Sequence, residues 1–358
     1  MKRFLLFLYL IIYIYKCENN IYSHSNNENN LYFVLTSFRH GARETLVKQD
    51  YFNNKIKYSG KLTTYGAKQH LIIGKKYRER YFNFLNLNNK IFNKDQIYIR
   101  TSDIPRTVIS TKKQLEGLFN TIIDDNNIDF VNVGKQPMRL YYLNMSEINI
   151  MQNYFQLCKL RKLNEKKKNY RKYFDKKILP IFQKCFKDIK NIKIELFCDN
   201  TFSAFFDYKY NKRKKNNIGK CGFKTAKIFY DYCNKYFDSK RGWNEISAYI
   251  FNIFFKTIFK YMRDSIENAN QLKMIMLGGH DTTLAPLMNF FNGLNIIKRT
   301  EYPHYAYNIV LELRIYNKEM YLEIYYNDIL KYNKTLKAFE NILNNSKYSN
   351  LYNFCGFL

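Results

Sequence analysis

No two cysteines in the chain have CxxC spacing, no glycine-rich phosphate loop occurs, and no segment repeats internally. The first absence argues against a zinc site and for disulfides. The second removes a P-loop nucleotide site, and the third removes solenoid architectures. Zinc-finger spacing, an RNA-recognition signature and a basic zipper are also missing, so nothing in the sequence reads nucleic acid. Negative charge is scarce, with 30 Asp and Glu against 59 Lys and Arg, and the formal net charge is +29. That field concentrates anions, and phosphorylated substrates suit it. Nucleic acid or an anionic membrane would suit it too. The basic residues, however, are spread along the whole chain, with short runs only at 166–168 and 212–215. A chain-wide bias toward Lys, Asn, Ile and Tyr accounts for the charge, and nucleic acid is not expected as a partner.

Apolar residues make up 46% of the 358 positions, with 33 Tyr and 30 Phe. Such a chain can bury a sizeable core, either as one large domain or as a core with an inserted second domain. Lys2 and Arg3 precede an unbroken apolar stretch from Phe4 to Tyr15, which reads as a signal segment over 1–17 followed by a polar leader over 18–30. The stretch is short for a membrane span, and no other segment is expected to cross a membrane. Tyr15 stands where a small residue would favour cleavage after Cys17, so an uncleaved anchor stays open. Six further cysteines, Cys158, Cys185, Cys198, Cys221, Cys233 and Cys355, agree with an oxidising compartment. Sequons at Asn144, Asn333 and Asn344 are compatible with the secretory route, although an Asn-rich chain produces them by chance. The expected location is outside the cell or in the lumen of an acidic vesicle.

Three stretches share one pattern: a short apolar run, a loop carrying charged residues, then a helix-compatible segment. Leu31 to Thr36 runs into Ser37, Phe38, Arg39, His40, Gly41, Ala42 and Arg43. Ile97 to Arg100 runs into the loop from Thr101 to Thr107, with a helix ending near Phe119. Lys273 to Leu277 runs into Gly278, Gly279, His280, Asp281 and Thr282, with a helix over 283–291. Strands alternating with helices form largely parallel sheets, whose loops converge at the carboxyl ends of the strands. Helices starting just beyond those loops point amide donors at the same edge, which favours phosphate. Residues 121–244 are Lys-, Tyr- and Asn-rich and read as an inserted, mainly helical cap. The core is then expected over 31–120 and 245–358. Two late strands, IVLELRIY and MYLEIYY, meet at Asn317 and Lys318 and extend the sheet. The fold class is therefore α/β, with a mixed, largely parallel central sheet flanked by helices.

A single Arg-His-Gly tripeptide is weak evidence, since Arg and His often share a solvated loop. The set is stronger: Arg39 and Arg43 flank His40, Arg106 follows the second strand, and His280 with Asp281 follows the third. Three guanidinium groups and an imidazole around one point repel one another unless an anion sits among them. Phosphate supplies that charge, and the planar arginine fork matches its oxygens. Gly41 is expected to let the backbone approach a ligand closely. His70 is expected in the core or as support for the site, His304 against a strand, and His24 in the leader.

RHGAR at Arg39 to Arg43, with LTTYGAKQHLIIGKKYRERY at Leu62 to Tyr81, TSDIPRTVIS at Thr101 to Ser110, GGHDTT at Gly278 to Thr283 and YPHYAYNIVLEL at Tyr302 to Leu313, resembles the histidine acid phosphatases. These form the branch of the histidine phosphatase superfamily that also contains fungal phytases. The resemblance implies an acid phosphatase that hydrolyses phosphate monoesters through a phosphohistidine on His40. It implies Asp281 as proton donor and Arg39, Arg43, Arg106 and His280 as phosphate ligands, with no metal and no cofactor. The partners expected are a small phosphate monoester or phosphoprotein substrate and, for a homodimer, a second copy of the chain. Thr45 replaces the proline of the usual pattern, and Gly279 replaces the more common alanine. Both are expected to loosen the loops that carry His40 and Asp281. The alternative is a weak or inactive phosphate-ligand-binding protein of the same fold.

Overall fold

The computed structural model describes residues 30–44, 59–87, 93, 95–131, 169–185, 192–210, 223–240, 251, 254–256, 258–259, 262–263, 272–298 and 302–346. The expected signal segment, nearly all of the polar leader, Thr45 and the Asn144 sequon lie outside the described residues.

Seven strands form one sheet in the order β3-β2-β4-β1-β5-β6-β7. They are β1 (Leu31–Arg39), β2 (Ile97–Ser102), β3 (Asp129–Val131), β4 (Met274–Gly279), β5 (Asn308–Tyr316), β6 (Glu319–Tyr326) and β7 (Ile329–Thr335). The pairs β3/β2, β2/β4 and β4/β1 are parallel, whereas β1/β5, β5/β6 and β6/β7 are antiparallel. The sheet is thus mixed around a parallel core. The two hairpins of the antiparallel half turn at Asn317-Lys318 and Asn327-Asp328, all four residues having positive φ, the geometry of a tight turn matched to strand twist. β3 lies beyond the expected boundary at 121, because residues 129–131 pair with β2.

Both faces of the sheet are covered, which explains why β1 and β4 read as continuous apolar runs rather than alternating ones. On one face Val34, Phe38, Met274 and Met276 pack with α1 (Thr64–Tyr81) and α2 (Pro105–Phe119). On the other, Phe33, Leu35, Ile275 and Leu277 pack with α6 (Asp281–Gly293), α7 (Leu336–Asn344) and the helical residues Phe251, Phe254, Phe255, Ile258, Phe259 and Met262. The ends of α1 and α2 follow from their sequence. Thr63 caps α1 by accepting from Gly66 N at 3.0 Å. Pro105 opens α2, and Asn120 closes it in the left-handed region at φ 57°.

The third core cluster belongs to α3 (Leu179–Cys185), α4 (Ile194–Tyr210) and α5 (Phe223–Lys240). Phe174, Phe182, Phe197 and Phe229 interlock there with ring centroids 5.0 to 5.7 Å apart. A disulfide joins Cys198 of α4 to Cys233 of α5, and Cys185 is disulfide-bonded as well. This cluster is continuous with Ala42, Ala285, Tyr302 and Tyr305, so the helices rest on the loops at the carboxyl ends of the parallel strands.

Candidate active site

β1 ends between β4 and the segment that leads into β5. His40 N donates to Gly279 O at 3.0 Å, Ala306 N to His40 O at 3.0 Å, and Arg39 N to Tyr307 O at 2.9 Å. The chain then turns onto the start of α1, where Thr63 N and Thr63 Oγ1 both donate to Ala42 O at 2.9 Å. Gly41 meets Gly66 there: a Cβ built on Gly41 would lie 2.3 Å from Gly66 O. The close approach that Gly41 permits here is to the backbone of α1. Gly41 N donates to Ser110 Oγ at 3.1 Å and Ala42 N to Gln69 Oε1 at 2.9 Å, which ties the loop to both helices.

The six residues singled out in the sequence converge at this edge. His40 and His280 are buried, with ring centroids 5.2 Å apart. Arg106 Nε lies 3.1 Å from His40 Nε2, and Arg39 Nη2 lies 3.9 Å from Asp281 Oδ2. Arg43 acts electrostatically on His40 and on Asp281.

The tautomer of His40 follows from its partners. Nδ1 lies 2.8 Å from Gly41 O, a carbonyl that can only accept, so Nδ1 carries the proton. Arginine can only donate, so Nε2 presents its lone pair to Arg106. Burial first, and then His280, Arg39, Arg106 and Arg43, hold the His40 pKa well below the ordinary imidazole value. The neutral form of the ring is thereby favoured, with the Nε2 lone pair held by Arg106 among cations. His280 Nε2 lies 2.9 Å from Ser102 Oγ and 3.4 Å from Thr107 Oγ1.

The cations are partly offset. Arg43 Nη2 donates to Asp199 Oδ1 at 2.7 Å, from α4, and Asp281 faces Arg39. Burial lowers the pKa of Arg43, but Tyr305 and Asp199 outweigh burial and raise it. Arg106, half-buried and beside Arg43, is pushed down to about 10 and stays cationic in acid. Three guanidinium groups thus stand against two carboxylates. Arg39 Nε and Arg43 Nε are buried without a hydrogen-bond partner among the described residues. An anion with several acceptor oxygens would complete such a set.

Sequence reasoning passed over Asp199, Tyr302 and Tyr305. Tyr305 lies under the site, 4.4 Å from the Arg39 guanidinium and 5.8 Å from the His40 ring. It sits in a segment noted for its resemblance, but with 33 tyrosines no single one stood out. Asp199 carried no signal beyond its place next to Cys198. His70 lies in the core as expected, whereas His304 meets a helix rather than a strand. His70 is buried, its Nδ1 2.9 Å from Gln114 Oε1 and its Nε2 3.1 Å from Arg39 O, and burial pushes it down to about 4. His304 Nδ1 lies 2.9 Å from the Tyr230 hydroxyl of α5. Gly279 does not loosen its loop: a Cβ there would come within 2.7 Å of Thr283 Oγ1, the group that accepts from His280 N at 3.2 Å. The missing methyl makes room for a cap on α6.

The family described as histidine phosphatase superfamily (branch 2) matches residues 20–327. The chain belongs to this family. Bovine prostatic acid phosphatase is 24% identical over 84% of the chain and 78% of its own length. The lysosomal acid phosphatase of Xenopus laevis is 25% identical over 74% of the chain and 63% of its own length. Among solved structures, the phytase of Citrobacter braakii superposes with a TM-score of 0.61 over 88% of the chain and 97% of its own, at 13% identity. That likeness shows a shared fold, built in this chain on a mixed seven-stranded sheet. Among the described residues no helix is long and apolar enough to cross a membrane.

Proposed function

We propose that this protein is an acid phosphatase that hydrolyses phosphate monoesters through a covalent intermediate on His40 Nε2. The observation that carries the reading is the neutral His40 ring, held by Gly41 O so that Nε2 offers its lone pair among three guanidinium groups. An incoming phosphate dianion takes over the donors of Arg39, Arg43 and Arg106, and Arg106 releases Nε2. The lone pair then attacks phosphorus in line while the bond to the ester oxygen breaks, and the cations stabilise the equatorial oxygens. Asp281 gives its proton to the departing oxygen. In the second half a water attacks phosphorus, Asp281 takes its proton, and the P–N bond breaks to return the lone pair to Nε2. His280, held toward Ser102 and Thr107, contributes to phosphate binding. The alternative, a phosphate-binding protein without activity, is not favoured, because the relatives are acid phosphatases and both His40 and Asp281 are retained.

The balance of these steps uses neither metal nor cofactor, and activity is expected to survive chelators. The apolar leader and the Cys198–Cys233 disulfide support a secretory location, in an acidic lumen or outside the cell. The sequons at Asn333 and Asn344 lie on exposed residues, which is compatible with glycosylation. The test is rapid quenching of the wild-type enzyme with a radiolabelled aryl phosphate at pH ~5. Acid-labile, alkali-stable label on the protein, absent from His40→Ala, is expected. Turnover without any such label would remove the covalent step.

A further inference from the structure

The short segment entering β5 makes contacts in two directions. Tyr302 is 1% exposed, and its hydroxyl donates to Asp281 Oδ2 at 2.6 Å. Its ring stacks on Phe202 of α4, with centroids 5.5 Å apart and planes within 10°. The next residue, Pro303, accepts from Arg39 Nη1 at 2.8 Å. Asp281 is therefore held at both oxygens, since Thr282 N donates to Oδ1 at 2.9 Å. We infer that Tyr302 is a positioning residue for Asp281, fixing Oδ2 through its phenol and tying that carboxyl to the helical cap through its ring. The inference rests on the proposed role of Asp281 as proton donor.

The cations around Asp281 are Arg39 at 3.9 Å and Arg43 and Arg106 acting at longer range; the titratable imidazole beside it is that of the preceding residue, His280, whose ring meets the neutral His40 ring. The cations favour the ionised carboxyl, and so does a hydrogen bond donated to it. Tyr302 differs from them in being neutral and directional. Its hydroxyl can be deleted while every cation stays, and the phenylalanine that results keeps the stack on Phe202. Loss of the bond makes Asp281 easier to protonate and lets its plane rotate away from the leaving oxygen. These two effects act only on steps that use the Asp281 proton.

The experiment compares Tyr302→Phe, Asp281→Asn and the double variant on an alkyl phosphate, a poor leaving group, and on p-nitrophenyl phosphate, a good one. With the alkyl ester, the alkaline limb of kcat/KM in Tyr302→Phe is expected to move upward by about one pH unit, the tenfold change in proton affinity that a hydrogen bond to a charged group carries. At its optimum kcat for the alkyl ester is expected to fall several-fold, with little change for p-nitrophenyl phosphate. In the Asp281→Asn background the same substitution is expected to add nothing. An unmoved limb, or an equal further loss in that background, overturns the Tyr302 assignment while Asp281→Asn still slows the alkyl ester selectively. Equal slowing of both esters by Asp281→Asn overturns the proton-donor reading, and the assignment with it. Phe202→Leu keeps the phenol and removes its stacking partner, so it is expected to slow the alkyl ester selectively but by less. Equal slowing of both esters by that variant overturns the tie to the cap.

Discussion

Two buried ionic clusters lie on this sheet, and they are built on opposite principles. On the antiparallel half, Glu312 of β5 accepts from Arg80 Nε at 2.6 Å, from Tyr81 at 2.7 Å and from Arg314 at 2.5 Å. Glu323 of β6 receives Arg314 Nε at 3.1 Å and Tyr325 at 2.6 Å. Two cations meet two carboxylates there. Burial would raise the pKa of Glu312, but Arg80 and Arg314 outweigh it and hold the group below its ordinary range. At the carboxyl ends of the parallel strands, three cations meet two carboxylates and guanidinium donors are left without partners among the described residues. The first cluster is complete without a ligand, and the second is complete only with an anion. The difference lies in what each cluster leaves unpaired, and unfinished electrostatic arrangements of the second kind are a signature of functional sites.

Substitutions should separate the two clusters sharply. His40→Ala is expected to lower kcat by roughly 10⁴-fold or more, the range seen when a covalent nucleophile is removed, with the melting temperature unchanged or raised. Steady-state assay and thermal unfolding of the same sample check both halves of that statement. A melting temperature that collapsed with the activity would erase the contrast. Arg314→Met should do the reverse. It strands buried carboxylates and is expected to cost about 3 to 5 kcal/mol in urea unfolding, with kcat of the folded fraction within about twofold of wild type.

Asp199→Asn tests how far α4 completes the site. The amide can still accept from Arg43, but the negative charge that competes with substrate is gone. Inorganic phosphate is expected to inhibit about fivefold more tightly, corresponding to about 1 kcal/mol for a mostly buried pair. Weaker inhibition would mean that Asp199 chiefly orients Arg43. The smallest effect at mildly acid pH concerns the empty protein. His40 and His70 are neutral when folded and take up protons on unfolding, so the unfolded chain binds more protons below about pH 6.5. Stability should therefore be fully present above that pH and decline as pH falls toward about 4, the value to which burial pushes His70. A melting curve that stayed flat over this interval would contradict the neutral, buried state of both rings.

Legibility in the sequence differed between these regions for a physical reason. The parallel strands are buried on both faces, so Leu31 to Thr36 and Lys273 to Leu277 stand out as unbroken apolar runs, each followed by a charged loop. The first late hairpin was readable from alternation and from Asn317-Lys318. β7 was not, because its residues are polar and largely exposed along an edge, and β3 has only three residues. Asp199 and Tyr302 escaped notice because each acts across a long chain separation, 156 residues to Arg43 and 21 to Asp281, with no local pattern to mark it.

The sequence alone therefore determined the chemistry: His40, its arginines and the His280-Asp281 pair lie in loops that follow buried strands, and parallel pairing brings such loops to one edge. Tertiary structure decided the state of those groups. Gly41 O selects the His40 tautomer, Asp199 arrives from α4 to face Arg43, and Tyr302 grips Asp281. Protonation and orientation depend on burial and on donors a few ångströms away. Those distances are set by packing between segments far apart in the chain, which a local residue pattern does not encode.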